Sequence, residues 1–476
     1  MATIIRETEV ATGREYLSGL YAPVPDERVA ADLPVDGRLP TDLDGIFVQN
    51  MPNPAFDPGA GHSWFDGDGM VHSVEIRNGR ATYRNRFIET AGLKEDRAAG
   101  RATYVGSLAL PGLGKRHKNT ANTDLIWHGG RLLALWWEGG VPYEISLPSL
   151  ETVGTFDYAG TLDRGMTSHA KLDPNTGEMY FISWGTKRPY LSVGVATDDG
   201  RIARTVDIDL PGPRVQHDMA ISGKYVCVFD FPLAVDLRED APALGFKMTP
   251  MPSRIGLLSR ADLDAPVRWF EAEPCYMWHV MCAYDDGDDF VLLGVRTHEA
   301  TDVDAEGKHR GDRPLVDGEH RFDSYLHEWR INTATGAVTE RDVDDALAEF
   351  PRVNDRYMAR RQHVGYLALV DGDAPTLRAK GIARYDLDDY SRQDVLFPEA
   401  CYGYEPCFAP KMGATDEDEG YILNFVTDSE RGTSELWVTD AQHFAQGPVA
   451  RVKLPRRVPP GFHGRWIEAS KYAEKC

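Results

Sequence analysis

The sequence predicts an all-β protein, a propeller of six to eight four-stranded blades, and three observations carry that expectation. At least ten turn signals flanked by alternating apolar residues run from one end of the 476-residue chain to the other. Helical periodicity is scarce, confined to short stretches such as Val343 to Glu349 and Leu93 to Gly100. The 45 glycines and 30 prolines are spread along the chain as turn markers and gather into no linker.

The hairpins follow one another in order. Asn78-Gly79 in VEIRNGRATYRNRF and Gly129-Gly130 in IWHGGRLLALWW are turn pairs between alternating runs, and KLDPNTGEMYFISW turns at Pro174 to Gly177. VATDDGRIARTVDI, MAISGKYVCVFDF, CAYDDGDDFVLLGV and WRINTATGAVTERDV continue the series. LVDGDAPTLRAKGI, ATDEDEGYILNFV and TDSERGTSELWV complete it. Ten hairpins make about twenty strands, and a chain with that many must hide their edges. Radial repetition of blades does so and leaves a central axis for a site. No strict WD or kelch repeat is present. With no linker to divide it, the chain is expected to form one propeller domain over residues 1–476, residues 1–44 being an N-terminal arm.

Composition excludes several function classes. The 74 acidic and 52 basic side chains leave a formal charge of −22, which opposes nucleic acid and anionic lipid as partners. The densest basic stretch, Lys115-Arg116-His117-Lys118, is too short to reverse that. With 42% apolar and 26% charged residues the chain is expected to fold throughout. MATIIRETEVATGREY carries charges within its first seven residues, so no signal peptide is expected there, and apolar runs such as Leu132 to Trp137 fall short of the roughly 20 residues of a membrane helix. The six cysteines (Cys227, Cys275, Cys282, Cys401, Cys407 and Cys476) show no CxxC spacing and read as reduced thiols of a cytoplasmic protein.

Fourteen histidines are the main source of chemistry. His62, His72, His117, His128, His298, His309, His320, His327, His363 and His443 sit among polar or turn residues and read as solvated or hydrogen-bonded surface groups. His169 in MTSHAKLDP, His217 in RVQHDMAI, His279 in YMWHVMCAYDD and His463 in PPGFHGRWI have apolar or tightly framed neighbours. Their wide separation excludes HExxH and zinc-finger patterns, which need ligands a few residues apart. In a propeller, distant inner strands all face one axis, so the spacing permits a four-histidine metal site without showing one. Asp66-Gly67-Asp68-Gly69 looks like the opening of a calcium loop, but Arg77 stands at the twelfth position where a glutamate is needed, which argues against calcium.

These blocks, taken together, resemble a known family. GIFVQNMPNP, HSWFDGDGMVHSVEI, NTANTDLIWHGGRLLALWWEGGVPYEISLPSLETVG and TSHAKLDPNTGEMYF closely resemble the carotenoid cleavage oxygenases. VQHDMAI, WHVMCAYDD, EFPRVNDRYMARRQHVGY, YEPCFAPKMGATDEDEGYIL and GPVARVKLPRRVPPGFHGRW continue the match in the family's order, from about 45 to 466. The resemblance implies a seven-bladed β-propeller with a few short helices and loops capping one axial Fe(II). It places the four ligands at His169, His217, His279 and His463, with Glu138, Glu349 and Glu405 holding histidine ring nitrogens from behind. It also places Thr123 at an otherwise available metal position and Phe65 beside the iron along a substrate tunnel. On the residues alone, the three glutamates read equally as exposed or turn carboxylates, and Thr123 and Phe65 as packing.

The family's reaction is oxidative scission of a C=C bond by O2 to two carbonyl products. Its substrates are carotenoids and apocarotenoids or, alternatively, phenolic stilbenes and phenylpropenes. The resemblance to the phenolic branch calls for a lysine just before the glutamate of the LWWE block, where this chain has Trp137, and for a tyrosine pattern in a loop where only Tyr104 lies nearby. A buried phenol needs a polar partner and a polyene does not, so the sequence leans to a carotenoid or apocarotenoid. The extra residue in Leu135-Trp136-Trp137-Glu138 suggests a β-bulge that re-aims these side chains. Phe229 to Pro252, rich in Phe, Leu, Met and Pro, is the candidate patch for weak peripheral membrane contact, or else a packed interblade loop. The expected partners are O2 and an apolar alkene, with no obligate protein partner. A non-catalytic propeller that binds a ligand on one face stays open as a different class of function.

Overall fold

The computed structural model describes residues 15–472 apart from 108, 110–111, 113, 116–117, 238–244, 299, 301–322 and 375. Seven of its sheets are the blades of a β-propeller, and an eighth is a two-stranded ribbon, Leu233–Val235 with Phe246–Met248. All ten hairpins read from the sequence are antiparallel pairs. In two of the tightest, Asn78-Gly79 (φ 52° and 70°) and Gly129-Gly130 (φ 53° and 73°), both turn residues take the left-handed conformation of a type I′ turn.

Six blades run outwards in chain order from an inner strand, and the inner strand is what positions the site. Blade 2 starts at Asp124–His128, blade 3 at Lys171–Leu172 and blade 4 at Ala220–Ile221. Blade 5 starts at Tyr276–Asp286, blade 6 at Ala348–Arg352 and blade 7 at Cys401–Tyr402 with Cys407–Pro410. Blade 1 is a composite. Its inner strand Gly464–Glu468 comes from the far end of the chain and pairs with Gly45–Pro52. N-terminal strand Val35–Gly37 in turn closes the outer edge of blade 7 on Pro448–Lys453. Both ends of the described chain thus lock the ring at blades 1 and 7, and radial repetition leaves only the short outer edges of the blades.

Facing blades bury apolar side chains from alternate strand positions. Phe47 of blade 1 meets Phe425 of blade 7 with ring centroids 5.0 Å apart, inside a core that includes Leu423, Leu436 and Val452. Leu293, Leu326 and Leu369 do the same between blades 5 and 6. Truncating one of these leucines to alanine typically costs about 2–5 kcal/mol.

Several local expectations differ from the structure. Leu93 to Gly100 lies within a helix, Ala91–Ala99 with Gly100 as its left-handed cap, but Val343 to Glu349 does not form one. Only five residues separate the strand ending at Asp342 from the inner strand beginning at Ala348, too few to fit a helix and cross to the next blade. The expected bulge at Trp136 to Glu138 is instead a turn: the strand ends at Leu135 and Gly139 N–H donates to Trp136 O at 3.0 Å. His72, His128 and His327 are buried, where the sequence suggested surface positions. His72 Nδ1 meets Tyr83 Oη at 2.8 Å, His128 Nε2 meets Gly177 O at 3.0 Å, and His327 lies between Asp342 and Glu340.

In the Phe229 to Pro252 segment, Phe229, Phe231, Leu233, Val235 and Phe246 are buried in the central core and Leu237 is exposed. Residues 238–244, within that candidate patch, lie outside the described residues, as do His117, His309, His320 and Cys476. Cys227, Cys275, Cys282, Cys401 and Cys407 are free thiols, four of them buried. Among the described residues no helix is long and apolar enough to cross a membrane.

Candidate metal centre

Seven inner strands bring seven chain segments to the same end of the axis. Thr123, His169, His217, Glu405 and His463 stand just before their inner strands, and His279 and Glu349 stand within theirs. All seven are buried. The four histidines each offer a ring nitrogen, and these atoms lie within 4.8 Å of one another. His169 Nε2 is 3.2 Å from His217 Nε2, which is 3.2 Å from His279 Nε2. His169 adopts φ 62°, a left-handed conformation that is uncommon for a residue with a side chain and tends to occur at functional sites.

The donor set fits one metal ion. Ring nitrogens bind first-row metals such as zinc at about 2.0–2.1 Å, so two ligands at right angles sit about 3 Å apart, close to both measured spans. Four buried imidazoles with their nitrogens this close cannot all be protonated. Burial, then the charges of the other three histidines, hold the His169 pKa well below the usual histidine value. Metal binding needs this neutral form.

Two carboxylates secure the rings from behind. His279 Nδ1 lies 2.6 Å from Glu349 Oε2, and His463 Nδ1 lies 2.8 Å from Glu405 Oε1. An Nδ1–H donated to a carboxylate leaves the Nε2 lone pair for the metal and sets the ring's orientation. Burial would raise the Glu405 carboxyl, but Arg352 and His463 beside it hold its pKa below the usual range. Burial lowers His279, but the charge and hydrogen bond of Glu349, together with the charges of Asp218 and Glu405, raise its pKa above the usual histidine value.

The third glutamate is placed differently. Glu138 is half-buried and lines a side cavity of about 70 Å³ with Trp136, Asp68 and Lys118. The residue of that turn facing the axis is Trp137, whose ring centroid lies 6.3 Å from that of His217. Thr123 sits under the same turn: its Oγ1 accepts from Trp137 N–H at 3.2 Å and donates to Asn122, and its carbonyl accepts from His463 N–H. Phe65, on the short helix Trp64–Asp66 closed by the Ser63–Asp66 capping box, stacks on Phe462 at 5.6 Å and approaches Trp137 at 6.1 Å. Phe65, Trp137 and Phe462 thus form an aromatic wall beside the histidines. Asp66 and Asp68, the mock calcium loop, are committed to Ser63 and Ser107 and to Lys118.

Sequence reasoning missed three aromatic neighbours of the cluster: Trp278, 5.2 Å edge-on to His217, Phe350, 5.4 Å from His279, and Phe462. Each is adjacent in sequence to a ligand or a backing glutamate, which was the available signal. The histidines also border an axial cavity of about 160 Å³, lined by His169, His279 and His463 and by the charged Lys171, Asp218 and Arg352 but by none of the three wall aromatics.

Comparison with known proteins agrees with this architecture. Residues 21–468 match the retinal pigment epithelial membrane protein family. A carotenoid 9,10(9′,10′)-cleavage dioxygenase of Arabidopsis thaliana is 34% identical over 97% of this chain and 91% of its own length. A carotenoid cleavage oxygenase of Mycobacterium tuberculosis is 33% identical over 95% of this chain and 97% of its own. The crystal structure of a Pseudomonas brassicacearum lignostilbene dioxygenase superposes with a TM-score of 0.87 at 28% identity, covering 96% of this chain and 98% of the other. With the family match spanning nearly the whole chain and these relatives aligned end to end, the protein belongs to the family of carotenoid cleavage oxygenases and the retinal pigment epithelial membrane protein.

Proposed function

We propose that the protein is a non-haem Fe(II) dioxygenase that cleaves a C=C bond of a carotenoid or apocarotenoid. Both atoms of O2 would enter the two carbonyl products, so the reaction balances without an external reductant. The observation that carries this reading is the convergence of four buried imidazole nitrogens at one end of the propeller axis beside an aromatic wall.

In this reading His169, His217, His279 and His463 hold the iron. Four neutral ligands leave the bound ion its full +2 charge and open positions for O2 and an alkene. Glu349 and Glu405 keep Nε2 of His279 and His463 turned inwards. Thr123, whose hydroxyl accepts from Trp137 N–H and donates to Asn122, is held in one orientation beneath the Trp137 turn. Phe65, Trp137 and Phe462 hold an apolar chain against the site and keep water away from it.

Substrate class follows from what surrounds that wall. Around Trp137 stand Phe65, Trp184 and Phe246. Tyr104, the tyrosine nearest the phenol-gripping pattern, donates its hydroxyl to Glu95 at the surface, and Lys118 is held by Asp68 and Asp96. Such a site suits a polyene better than a buried phenol. The likeness to the lignostilbene dioxygenase favours a second reading, cleavage of a phenolic stilbene or phenylpropene. Turnover of one apocarotenal, one hydroxystilbene and one phenylpropene by the iron-loaded protein separates the two. The apocarotenal is expected to be cleaved with the highest kcat/KM, and faster cleavage of either phenolic alkene would overturn the choice. Cytoplasmic location, peripheral membrane contact driven by apolar rather than basic residues, and action without a protein partner belong to the same proposal.

A further inference from the structure

Each glutamate that backs a ring nitrogen also reaches a backbone N–H. Glu349 accepts from Phe350 N–H at 2.7 Å, and Glu405 accepts from Gly464 N–H at 2.7 Å. Two aspartates on the other side of the ring follow a related pattern. Asp124, just after Thr123, accepts from Leu125 N–H at 2.8 Å with Oδ1 and from the N–H of His169, on the next blade, at 3.3 Å with Oδ2. Asp218, just after His217, accepts from Met219 N–H at 2.7 Å with Oδ1 and from Val280 N–H, on the next blade, at 2.7 Å with Oδ2.

Asp218 holds its basic neighbour more closely than Asp124 does: its Oδ1 takes Lys171 Nζ at 2.6 Å, whereas Arg465 Nη2 stands 3.7 Å from Asp124 Oδ2. Lys171 is two residues after His169 and opens the inner strand of blade 3. Val280 is the residue after His279, in a stretch where the blade 5 strand slips register against its neighbour. One carboxylate, itself only 3% exposed, therefore joins the segments that carry His169, His217 and His279, on three consecutive blades. It stands on the wall of the axial cavity.

We propose that Asp218 is a positioning residue of the metal centre, fixing the relative placement of three of its four ligands through Lys171 and Val280. The proposal rests on the reading that the histidines hold a metal. A carboxylate is required because both oxygens must accept. An amide in the same place would turn an NH2 towards either the Val280 N–H or the Lys171 ammonium and lose one of the ties. Outer partners of metal ligands commonly change affinity 10–100-fold when replaced.

The test is titration of Co(II) into the metal-free full-length protein, followed by its d–d absorption, with thermal unfolding of the metal-free forms as a control. Asp218→Asn is expected to weaken Co(II) binding by about 10–100-fold and to shift the d–d bands. Lys171→Gln, which keeps the carboxylate and both N–H contacts, is expected to weaken binding less, in the same direction. Wild-type affinity and bands in Asp218→Asn, or in Lys171→Gln if the first variant does not fold, would overturn the proposal. So would lowered thermal stability with an unchanged Co(II) spectrum, since that is a structural role only. Failure of the wild-type protein to bind Co(II) would instead overturn the metal reading beneath it.

Discussion

Histidine is buried in two different ways in this protein. At the axis, four rings from four blades converge on one point, two of them tied through Nδ1 to glutamates. Within the blades, His72 and His327 are just as enclosed, yet each is occupied locally, His72 by Tyr83 and His327 by Asp342 and Glu340. Burial is common to both groups, and each includes rings held by carboxylates. What separates them is topology: at the inner strands residues from every blade face one axis, and among the described residues it is there that ring nitrogens come within 3.2 Å of each other. A metal needs that convergence, and a single well-bonded histidine cannot supply it.

Removing a ring from each group tests the contrast most severely. His279→Ala is expected to abolish stoichiometric iron binding, whereas His327→Ala should keep full iron and lose about 1–3 kcal/mol of stability through the buried, hydrogen-bonded ring it removes. Metal analysis and urea unfolding check the pair; equal iron content in the two variants would erase the distinction. A smaller effect comes from the backing groups. Glu349→Gln and Glu405→Gln should each weaken metal binding by about 10–100-fold, read by competition with a chromophoric chelator.

The smallest effect concerns acid. Burial, then the charges of Arg456 and Arg457, hold the His72 pKa well below its ordinary 6.5. The unfolded chain takes up a proton below about pH 6.5 that the folded protein refuses. His72 therefore adds nothing to lability above pH 6.5, and below it costs about 1.4 kcal/mol of stability per pH unit. His72→Gln should flatten the acid limb of stability between pH 6.5 and 5, measured by urea midpoints, and leave iron content unchanged. An acid limb as steep as the wild type's would show that His72 is not one of the groups responsible.

Much of the fold was legible because its signals are local. Turn pairs such as Asn78-Gly79 and Gly129-Gly130 dictate hairpins without reference to the rest of the chain. Val343 to Glu349 was misread because its helical pattern yields to the need to cross quickly from one blade to the next, which no local window contains. The site was legible in part for the same reason. The histidines could be picked out by their apolar frames, but convergence depends on the ring of blades, and it was the family resemblance that singled out the set. The Trp136 to Glu138 segment shows the limit most clearly. One extra residue became a turn that sets Trp137 towards His217 and Glu138 into a side cavity, an outcome decided by Thr123 and Gly139 through hydrogen bonds no spacing reveals.

The most direct test of the central claim is cleavage of an apocarotenal by the iron-loaded protein under oxygen-18 gas, with short reaction times to limit carbonyl exchange. The account predicts two carbonyl products, each carrying one labelled oxygen, in proportion to bound iron. Unlabelled products, or an unchanged polyene with no O2 consumed by protein that holds one iron per chain, would contradict it.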